Sequence, residues 1–293
     1  MADTVALFGF GAMGMAIARR LLSRNYKINV WNRSPEKLIP LAEGGAIVKS
    51  SPAETIKSAE TIISVLPDAA ALQEVLFDKD WAHELHGRCV IHFGSVNPSR
   101  SQAIMDAFHA HQASYVEVAA LGSVDDVAVG NLKLLVGASE EDFTQVRPLL
   151  EDLSEHVQYI GEVGNAVAMK LAMQQMTASL FCGFCSSISL IKGQGLSVDL
   201  FMDFLRSSPL YTPMFDQKLP RLLSRDYSHS SLPGKHLERE LKLFLEEAEE
   251  LGFNAHQVES IKELISLCVA RGMHDMDFTA VYDVINPPKD EDG

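Results

Sequence analysis

The first half of the chain alternates short β-branched or apolar runs with amphipathic stretches, and this alternation restricts the possible folds most. Six runs have the composition of β-strands, at residues 5–8, 28–31, 61–65, 89–93, 115–118 and 133–136. Between the first two, Met13, Ala16, Ile17 and Leu21 recur at helical spacing. Strand and helix in alternation predict an α/β fold with a doubly wound parallel sheet and helices on both faces.

The second half has a different pattern. After about residue 162 the strand signals stop, and the remainder has the pattern of helices separated by glycine and proline. Residues 161–195 contain only three charged side chains, which predicts one long, largely buried helix. We therefore expect two domains, residues 1–162 and an all-helical domain at 163–293, joined by a long interdomain helix. The acidic tail, residues 287–293, is expected to fray.

Charge and cysteine usage exclude several classes of partner. The chain has 25 Lys and Arg against 39 Asp and Glu, a net charge of −14, which disfavours nucleic acid and anionic membrane surfaces. Gln, Ser and Thr interrupt residues 163–195, so we expect no membrane span. Four cysteines without a zinc-ligand pattern predict no disulfide scaffold and no metal site. With no secretory leader visible, this favours a cytoplasmic protein.

A glycine-rich turn follows the first predicted strand and opens the first predicted helix. Its pattern is GxGxxG, formed by Gly9, Phe10, Gly11, Ala12, Met13 and Gly14. In this context the glycines permit a tight turn, close approach of a pyrophosphate and close packing of helix on strand. The helix N-terminus then faces the anion. The motif predicts a dinucleotide cofactor, with a ligand-free glycine turn as the alternative.

The end of the second strand predicts which dinucleotide binds. An NAD-binding unit usually carries an acidic residue there for the ribose hydroxyls, and none occurs before Glu36. Instead Arg33 can hold a 2′-phosphate, with Asn32 and Ser34 beside it and Lys37 adding charge. We expect NADPH rather than NADH, a solvated basic turn being the alternative.

Lys170 stands on the long apolar helix with Gln174 one turn later on the same face. Desolvation favours the neutral form of an amine, so a lysine in such surroundings suits general acid–base catalysis. From the residues alone, the alternative is a lysine whose stem packs on apolar surface while its ammonium reaches solvent.

Four segments together carry a family resemblance. They are the Gly9–Gly14 turn with Met13, Gly130-Asn131-Leu132, the Gly161-x-x-Gly164-x5-Lys170 pattern, and residues 276–281. With these the chain resembles the β-hydroxyacid dehydrogenases, which include 3-hydroxyisobutyrate dehydrogenases and glyoxylate or succinic semialdehyde reductases. The resemblance implies that Lys170 protonates the carbonyl oxygen while NADPH delivers hydride to the carbon. It also implies cofactor contacts by Leu66, Pro67, Ser95 and Arg239.

The chain departs from the family pattern where substrate binds. Gly94-Ser95 stands where the family has Ser-Thr, and Gln174 replaces an asparagine. The Ser-Gly-Gly segment that holds a substrate carboxylate in the family becomes Leu121, Gly122 and Ser123. By resemblance these three residues and Gln174 are expected to contact the substrate, with Ser123 and the amides around Gly122 able to bind an anion.

The sequence leaves two other functions open. The end of the second strand also resembles that of imine reductases and reductive aminases, so imine reduction is the main alternative, although a cationic lysine is a poor neighbour for an iminium. The second alternative is a protein that binds the cofactor without catalysing a reaction.

The nearly uncharged long helix would expose apolar surface in a monomer, so we expect a homodimer in which each subunit covers the other's cleft, as in the family.

Overall fold

The computed structural model describes residues 3–67 and 69–288. The chain forms two compact units, Met1–Lys170 and Leu171–Gly293, and the division falls inside its longest helix. Each unit has its own hydrophobic core.

The first unit is built on one eight-stranded sheet. Its strands are β1 (Thr4–Phe8), β2 (Lys27–Trp31), β3 (Ile47–Val48), β4 (Thr61–Ser64), β5 (Cys89–His92), β6 (Ser114–Leu121), β7 (Lys133–Gly137) and β8 (His156–Gly161), in the spatial order β3-β2-β1-β4-β5-β6-β7-β8. The order reverses direction between β1 and β4. In open α/β sheets such a reversal opens a crevice at the carboxyl ends of the strands, where ligands bind.

Thirteen α-helices occur in the described residues. They are α1 (Ala12–Ser23), α2 (Ile39–Glu43), α3 (Pro52–Lys57), α4 (Ala69–Leu76), α5 (Pro98–Ala110), α6 (Val124–Val129), α7 (Glu140–Leu153), α8 (Asn165–Gly193), α9 (Val198–Arg206), α10 (Pro213–Ser224), α11 (Gly234–Leu251), α12 (His256–Cys268) and α13 (Tyr282–Ile285). Short 3-10 helices occupy Pro35–Leu38, Ala82–Leu85 and Phe278–Val281.

The predicted α/β class is confirmed, with one refinement to the sheet. Six of the seven strand pairings in the described residues are parallel, but β7 runs antiparallel to β6, with Leu121 opposite Lys133. A parallel neighbour of β6 would need a long crossover connection, whereas α6 has only six residues and turns the chain back beside β6. Two strands, β3 and β8, were not predicted.

Alternation along β1 shows why the sheet is covered on both faces. Val5 and Leu7 belong to one apolar cluster, and Ala6 and Phe8 to another. All four side chains are buried, since successive residues of a strand point to opposite faces. Helix α1 packs in the first cluster through Ile17, which fixes the helix that follows the glycine turn.

The second unit is helical, as expected, with one isolated β-bridge in its described part, between Pro233 and Asp277. Its core contains aromatic pairs, such as Phe184 stacked on Phe215 with ring centroids 4.5 Å apart. Asp277 is fully buried and forms ion pairs with Lys218 at 3.1 Å and Arg221 at 3.0 Å. This buried pairing ties α10 to the segment before Phe278–Val281.

Helix α8 is long and apolar enough to cross a membrane by length and composition. The core helix of a soluble protein passes the same test, so this finding does not assign the helix to a bilayer. The expectation that the chain has no membrane partner stays a prediction.

All four cysteines are free and buried, Cys182 and Cys185 among them on α8. Burial raises the pKa of the Cys182 thiol to about 12, so it stays protonated at neutral pH. The described residues contain no group of three or more His, Cys, Asp or Glu side chains placed to hold a metal ion.

Candidate active site

The turn after β1 is shaped by glycines with no room for side chains. Gly9 has φ +90°, and a Cβ there would lie 2.4 Å from the carbonyl oxygen of Val65, in the chain after β4. A Cβ on Gly14 would lie 1.9 Å from the carbonyl oxygen of Gly9. The turn is therefore pressed against the neighbouring strand end and against its own helix, as a close phosphate loop requires.

Gly11 differs from these two glycines. It is the N-cap residue of α1, and a Cβ there would meet no atom within 4 Å. Neither a side-chain cap nor an acidic residue occupies the first turn of α1. The first backbone N–H groups of a helix and its dipole attract an anion. The start of α1 thus fits the pyrophosphate of a dinucleotide, flanked by buried Phe10, exposed Ala12 and half-buried Met13.

A cavity of about 120 Å³ lies at the carboxyl ends of β1, β2 and β4. It brings together five residues predicted to bind cofactor, namely Gly9, Asn32, Arg33, Leu66 and Pro67. Trp31, Ala71, Glu74 and Val75 also line it. It lies beside the glycine turn at the carboxyl ends of the strands, which is where dinucleotides bind in open α/β sheets.

Arg33 at this cavity forms an ion pair with Glu74. Its Nη1 donates to Oε1 of Glu74 on α4 at 2.7 Å, and both side chains are more than half exposed. Asn32 donates through Nδ2 to the carbonyl oxygen of Ser34 at 2.9 Å, which holds the turn after β2. Lys37 is exposed on the 3-10 helix that follows. An exposed ion pair is worth at most about 1 kcal/mol, so a phosphate can displace Glu74 from Arg33.

Lys170 lies at the end of the second turn of α8 and is half-buried. Its Nζ donates to Oγ of Ser95 at 3.3 Å. Ser95 follows β5, so this contact brings the helix ammonium to the carboxyl edge of the sheet, the edge that also carries the glycine turn. Two residues predicted from separate segments, Lys170 and Ser95, are therefore neighbours.

A buried carboxylate that the sequence analysis missed holds the start of α8. Glu117 on β6 accepts hydrogen bonds from the backbone N–H groups of Gly164 and Val167, each at 3.0 Å. Burial raises the pKa of Glu117, and hydrogen bonds from Ser101 and from the helix N–H groups offset only part of that rise. A glutamate between Val116 and Val118 in a strand was the available signal, because a charge on a buried strand needs a partner.

Gly94 stands where the family pattern has a serine, and the neighbouring His92 ring occupies the space of a side chain there. A Cβ on Gly94 would lie 1.9 Å from Nε2 of His92, which is buried at the end of β5. The His92 ring contacts Oγ of Ser64 through Nδ1 at 3.2 Å. With His92 in this position, residue 94 has no space for the serine of the family pattern.

Leu121 is the last residue of β6, and the turn that follows, Gly122 and Ser123, is occupied by a carboxylate of the chain itself. The backbone N–H and the hydroxyl of Ser123 both donate to Oδ2 of Asp126 at 2.7 Å. Ser123 Oγ in turn accepts from the Asp126 N–H at 3.3 Å, forming a capping box for α6. The S-x-x-D spacing carried this signal in the sequence.

Gln174 and Arg239 belong to the second unit. Gln174 follows Lys170 by four positions on α8 and is half-buried. Arg239 is half-buried on α11. Their predicted contacts with substrate and cofactor remain predictions.

Comparison with known proteins decides the family. The NAD-binding domain of 6-phosphogluconate dehydrogenase matches residues 4–161, and the NAD-binding domain of NADP-dependent 3-hydroxyisobutyrate dehydrogenase matches residues 164–285. Glyoxylate/succinic semialdehyde reductase 1 of Arabidopsis thaliana is 30% identical over 283 residues, covering 96% of this chain and 98% of that protein. The chain belongs to the β-hydroxyacid dehydrogenase family. It is accordingly an oxidoreductase that acts on CH–OH groups and uses a nicotinamide cofactor.

Solved structures show the same two-part fold. A 3-hydroxyisobutyrate dehydrogenase of Mycobacterium tuberculosis, with L-serine, superposes with a TM-score of 0.90 at 18% identity, covering 97% of this chain and 99% of that one. An imine reductase of Myxococcus stipitatus, with NADP+, gives 0.63 at 22% identity, covering 96% and 98%. The fold of this β-hydroxyacid dehydrogenase is therefore shared by carbonyl and imine reductases.

The glycine turn makes a first testable prediction. We expect Gly14→Ala to disrupt folding, because its methyl group would overlap the Gly9 carbonyl oxygen. Gly11→Ala should fold normally but bind the nicotinamide cofactor at least about tenfold more weakly, since its methyl projects toward the proposed pyrophosphate position. Thermal melting and fluorescence titration with NADPH measure the two effects. Unchanged cofactor affinity in folded Gly11→Ala would contradict this placement.

Proposed function

We propose that this chain is an NADPH-dependent reductase of a small carbonyl compound, an aldehyde or keto acid such as a semialdehyde or glyoxylate. The observation that carries the proposal is the contact of Lys170 with Ser95 at the carboxyl edge of the sheet, beside the glycine turn. When bound, NADPH supplies a hydride to the carbonyl carbon. Lys170 donates a proton to the carbonyl oxygen and takes it back in oxidation.

The electrostatics of the site support this role for Lys170. A cation beside the carbonyl oxygen stabilises the negative charge that develops there as the carbon is reduced. The Ser95 hydroxyl accepts a hydrogen bond from the ammonium and so restricts its position. Glu117 adds to this by fixing the first turn of α8 on the sheet.

The remaining site residues are assigned from the edge of the sheet in the first unit and, for Gln174 and Arg239, from the family resemblance. We assign NADP binding to residues 1–162, through the glycine turn, the Arg33 cavity and the Ser95 segment, with Arg239 contributing from residues 163–293. Leu121, Gly122, Ser123 and Gln174 form the substrate contacts in this proposal. Unpaired, buried cysteines support a reducing cytoplasmic location.

Lys170→Ala tests the proton donor. We expect kcat to fall by about 10²- to 10⁴-fold, because the variant has no ammonium to protonate the oxygen of the reduced carbonyl. The NADPH dissociation constant should stay within about twofold of the wild-type value. Lys192→Ala, at an exposed position on the same helix, is the matched control and should keep full activity. A panel of small aldehyde acids, ketones and cyclic imines, run on wild type and Lys170→Ala with NADPH and NADH, also separates carbonyl from imine reduction. Undiminished turnover in Lys170→Ala would refute the mechanism.

Arg33→Ala tests the cofactor preference. Charge-assisted hydrogen bonds to a phosphate are worth about 1.5–3 kcal/mol, so NADPH should bind roughly 10- to 100-fold more weakly to the variant. NADH affinity should not change, and Arg19→Ala, exposed on α1, should alter neither. If wild-type enzyme used NADH as well as NADPH, this reading of Arg33 would be wrong.

The exposed face of α8 supports the homodimer. Met169, Met173, Met176 and Leu180 follow one helical stripe and are each 42% to 52% exposed. An apolar stripe of this kind marks an interface.

Light scattering at micromolar concentration should give a dimer for wild-type protein and for Gln194→Glu. Met176→Glu should give a monomer, since a charge in the interface lacks a partner. A monomeric wild type would refute the assembly.

A further inference from the structure

Ser95, the residue that Lys170 contacts, lies in a short connection between a strand and a helix. Strand β5 ends at His92 and α5 begins at Pro98, and residues 93–97 between them belong to neither element. Ser95 is half-buried, and its Oγ accepts the hydrogen bond from Nζ of Lys170 at 3.3 Å. Because this connection lies outside the regular elements, the position of the Ser95 hydroxyl depends on how the connection packs on the sheet.

The ring of His92 packs directly against Gly94 in this connection. His92 is 1% exposed, so it acts through its neighbours and not on a substrate. A Cβ on Gly94 would lie 1.9 Å from Nε2 of the ring and 2.7 Å from both Cδ2 and Cε1. Gly94 does not have a positive φ, so the space and not the backbone conformation requires a glycine there. The ring and the glycine therefore fit as a pair, and a shift of the ring moves the backbone that leads into Ser95.

The other side of the ring is held by the end of β4. His92 lies opposite Ser64 in the register of β4 and β5, and Nδ1 of the ring is 3.2 Å from Oγ of the buried Ser64. The next residue, Val65, is the one whose carbonyl oxygen would lie 2.4 Å from a Cβ on Gly9. A continuous row of contacts thus runs from the glycine turn, through the ends of β4 and β5, to the hydroxyl that contacts the lysine.

We propose that His92 is a positioning residue for the reaction. Its ring sets the position of the Gly94–Ser95 backbone on the sheet, and thereby places the Lys170 ammonium relative to the glycine turn. This rests on the carbonyl reduction proposed above, in which Lys170 is the proton donor. Misplacement of a reacting group by about 1 Å costs on the order of 100-fold in rate. A buried ring suits the task, since a close-packed interior leaves a side chain little room to shift.

Two substitutions of His92 separate the two sides of its ring. The amide of His92→Asn reaches the position of Nδ1 and can still contact Ser64, but it leaves the space beside Gly94 empty. The longer His92→Gln reaches the position of Nε2 and keeps that space filled. We expect kcat for the best carbonyl substrate of the panel to fall about 10- to 100-fold in His92→Asn, but no more than about threefold in His92→Gln. The NADPH dissociation constant should stay within about threefold in both, because the glycine turn and the Arg33 cavity keep their contacts.

A compensating pair of substitutions tests the fit of the ring and the glycine. Gly94→Ala alone should lower both the melting temperature and kcat, because its methyl group overlaps the His92 ring. In a His92→Ala background the same methyl group enters vacated space, so Gly94→Ala should raise kcat at least about threefold above that of His92→Ala. Ile91→Val opens a small void on the opposite face of β5 and is the control for lost packing alone, with kcat within about twofold of wild type.

Three results would overturn the inference. They are wild-type kcat in folded His92→Asn, an equal loss of kcat in His92→Gln, and simple additivity of the compensating pair. A loss of NADPH affinity as large as the loss of kcat would show general damage to the site, and this too would overturn a positioning role.

Labelling of Lys170 separates this inference from the proposed function. Acetylation by an N-hydroxysuccinimide ester, followed by peptide mass spectrometry, reports the contacts of the lysine without substrate or cofactor. Loss of the Ser95 contact should speed the labelling of Lys170 at least about twofold in His92→Asn, with exposed Lys192 on the same helix as the unchanged internal reference. An unchanged rate overturns the positioning role whether or not a carbonyl compound is reduced. If wild-type enzyme reduces no carbonyl compound with NADPH although labelling differs, the proposed function is overturned and the placement of Lys170 by His92 is retained.

Discussion

The buried carboxylate of Glu117 is the interaction on which the catalytic edge depends. A carboxylate away from water is costly unless its oxygens accept hydrogen bonds, and here the N–H groups of Gly164 and Val167 serve that need. These N–H groups have no partners within their own helix, so one contact satisfies a strand and a helix start together. It sets where α8 leaves the sheet, and hence where Lys170 points one turn later.

Much of this architecture could be predicted because its signals are local. The GxGxxG turn lies between β1 and α1, and the six predicted strands all occur. The two missed strands lacked such signals. Strand β3 has only two residues, Ile47 and Val48, both exposed. Strand β8, His156–Gly161, has a half-exposed pattern without an apolar run. The antiparallel direction of β7 depends on the length of α6, which apolar periodicity does not report.

The candidate site was only partly predictable, since several of its contacts join distant segments. Arg33 and Glu74 are 41 residues apart, and nothing near either residue announces the other. Gly94 is only two residues from His92, but the sequence does not report that the His92 ring fills the space that a side chain at position 94 would need. Asp126 is the exception, because its capping spacing from Ser123 is visible in the sequence.

Three helices that start at the carboxyl edge differ in whether a carboxylate of the chain is bound at their start. The N–H groups at the start of α8 are bound by Glu117, and the turn before α6 is bound by Asp126. The start of α1 has neither a side-chain cap nor an acidic residue in its first turn. Since helix dipoles favour an anion at each start, side chains that neutralise two of them leave α1 as the most favourable of the three for a phosphate.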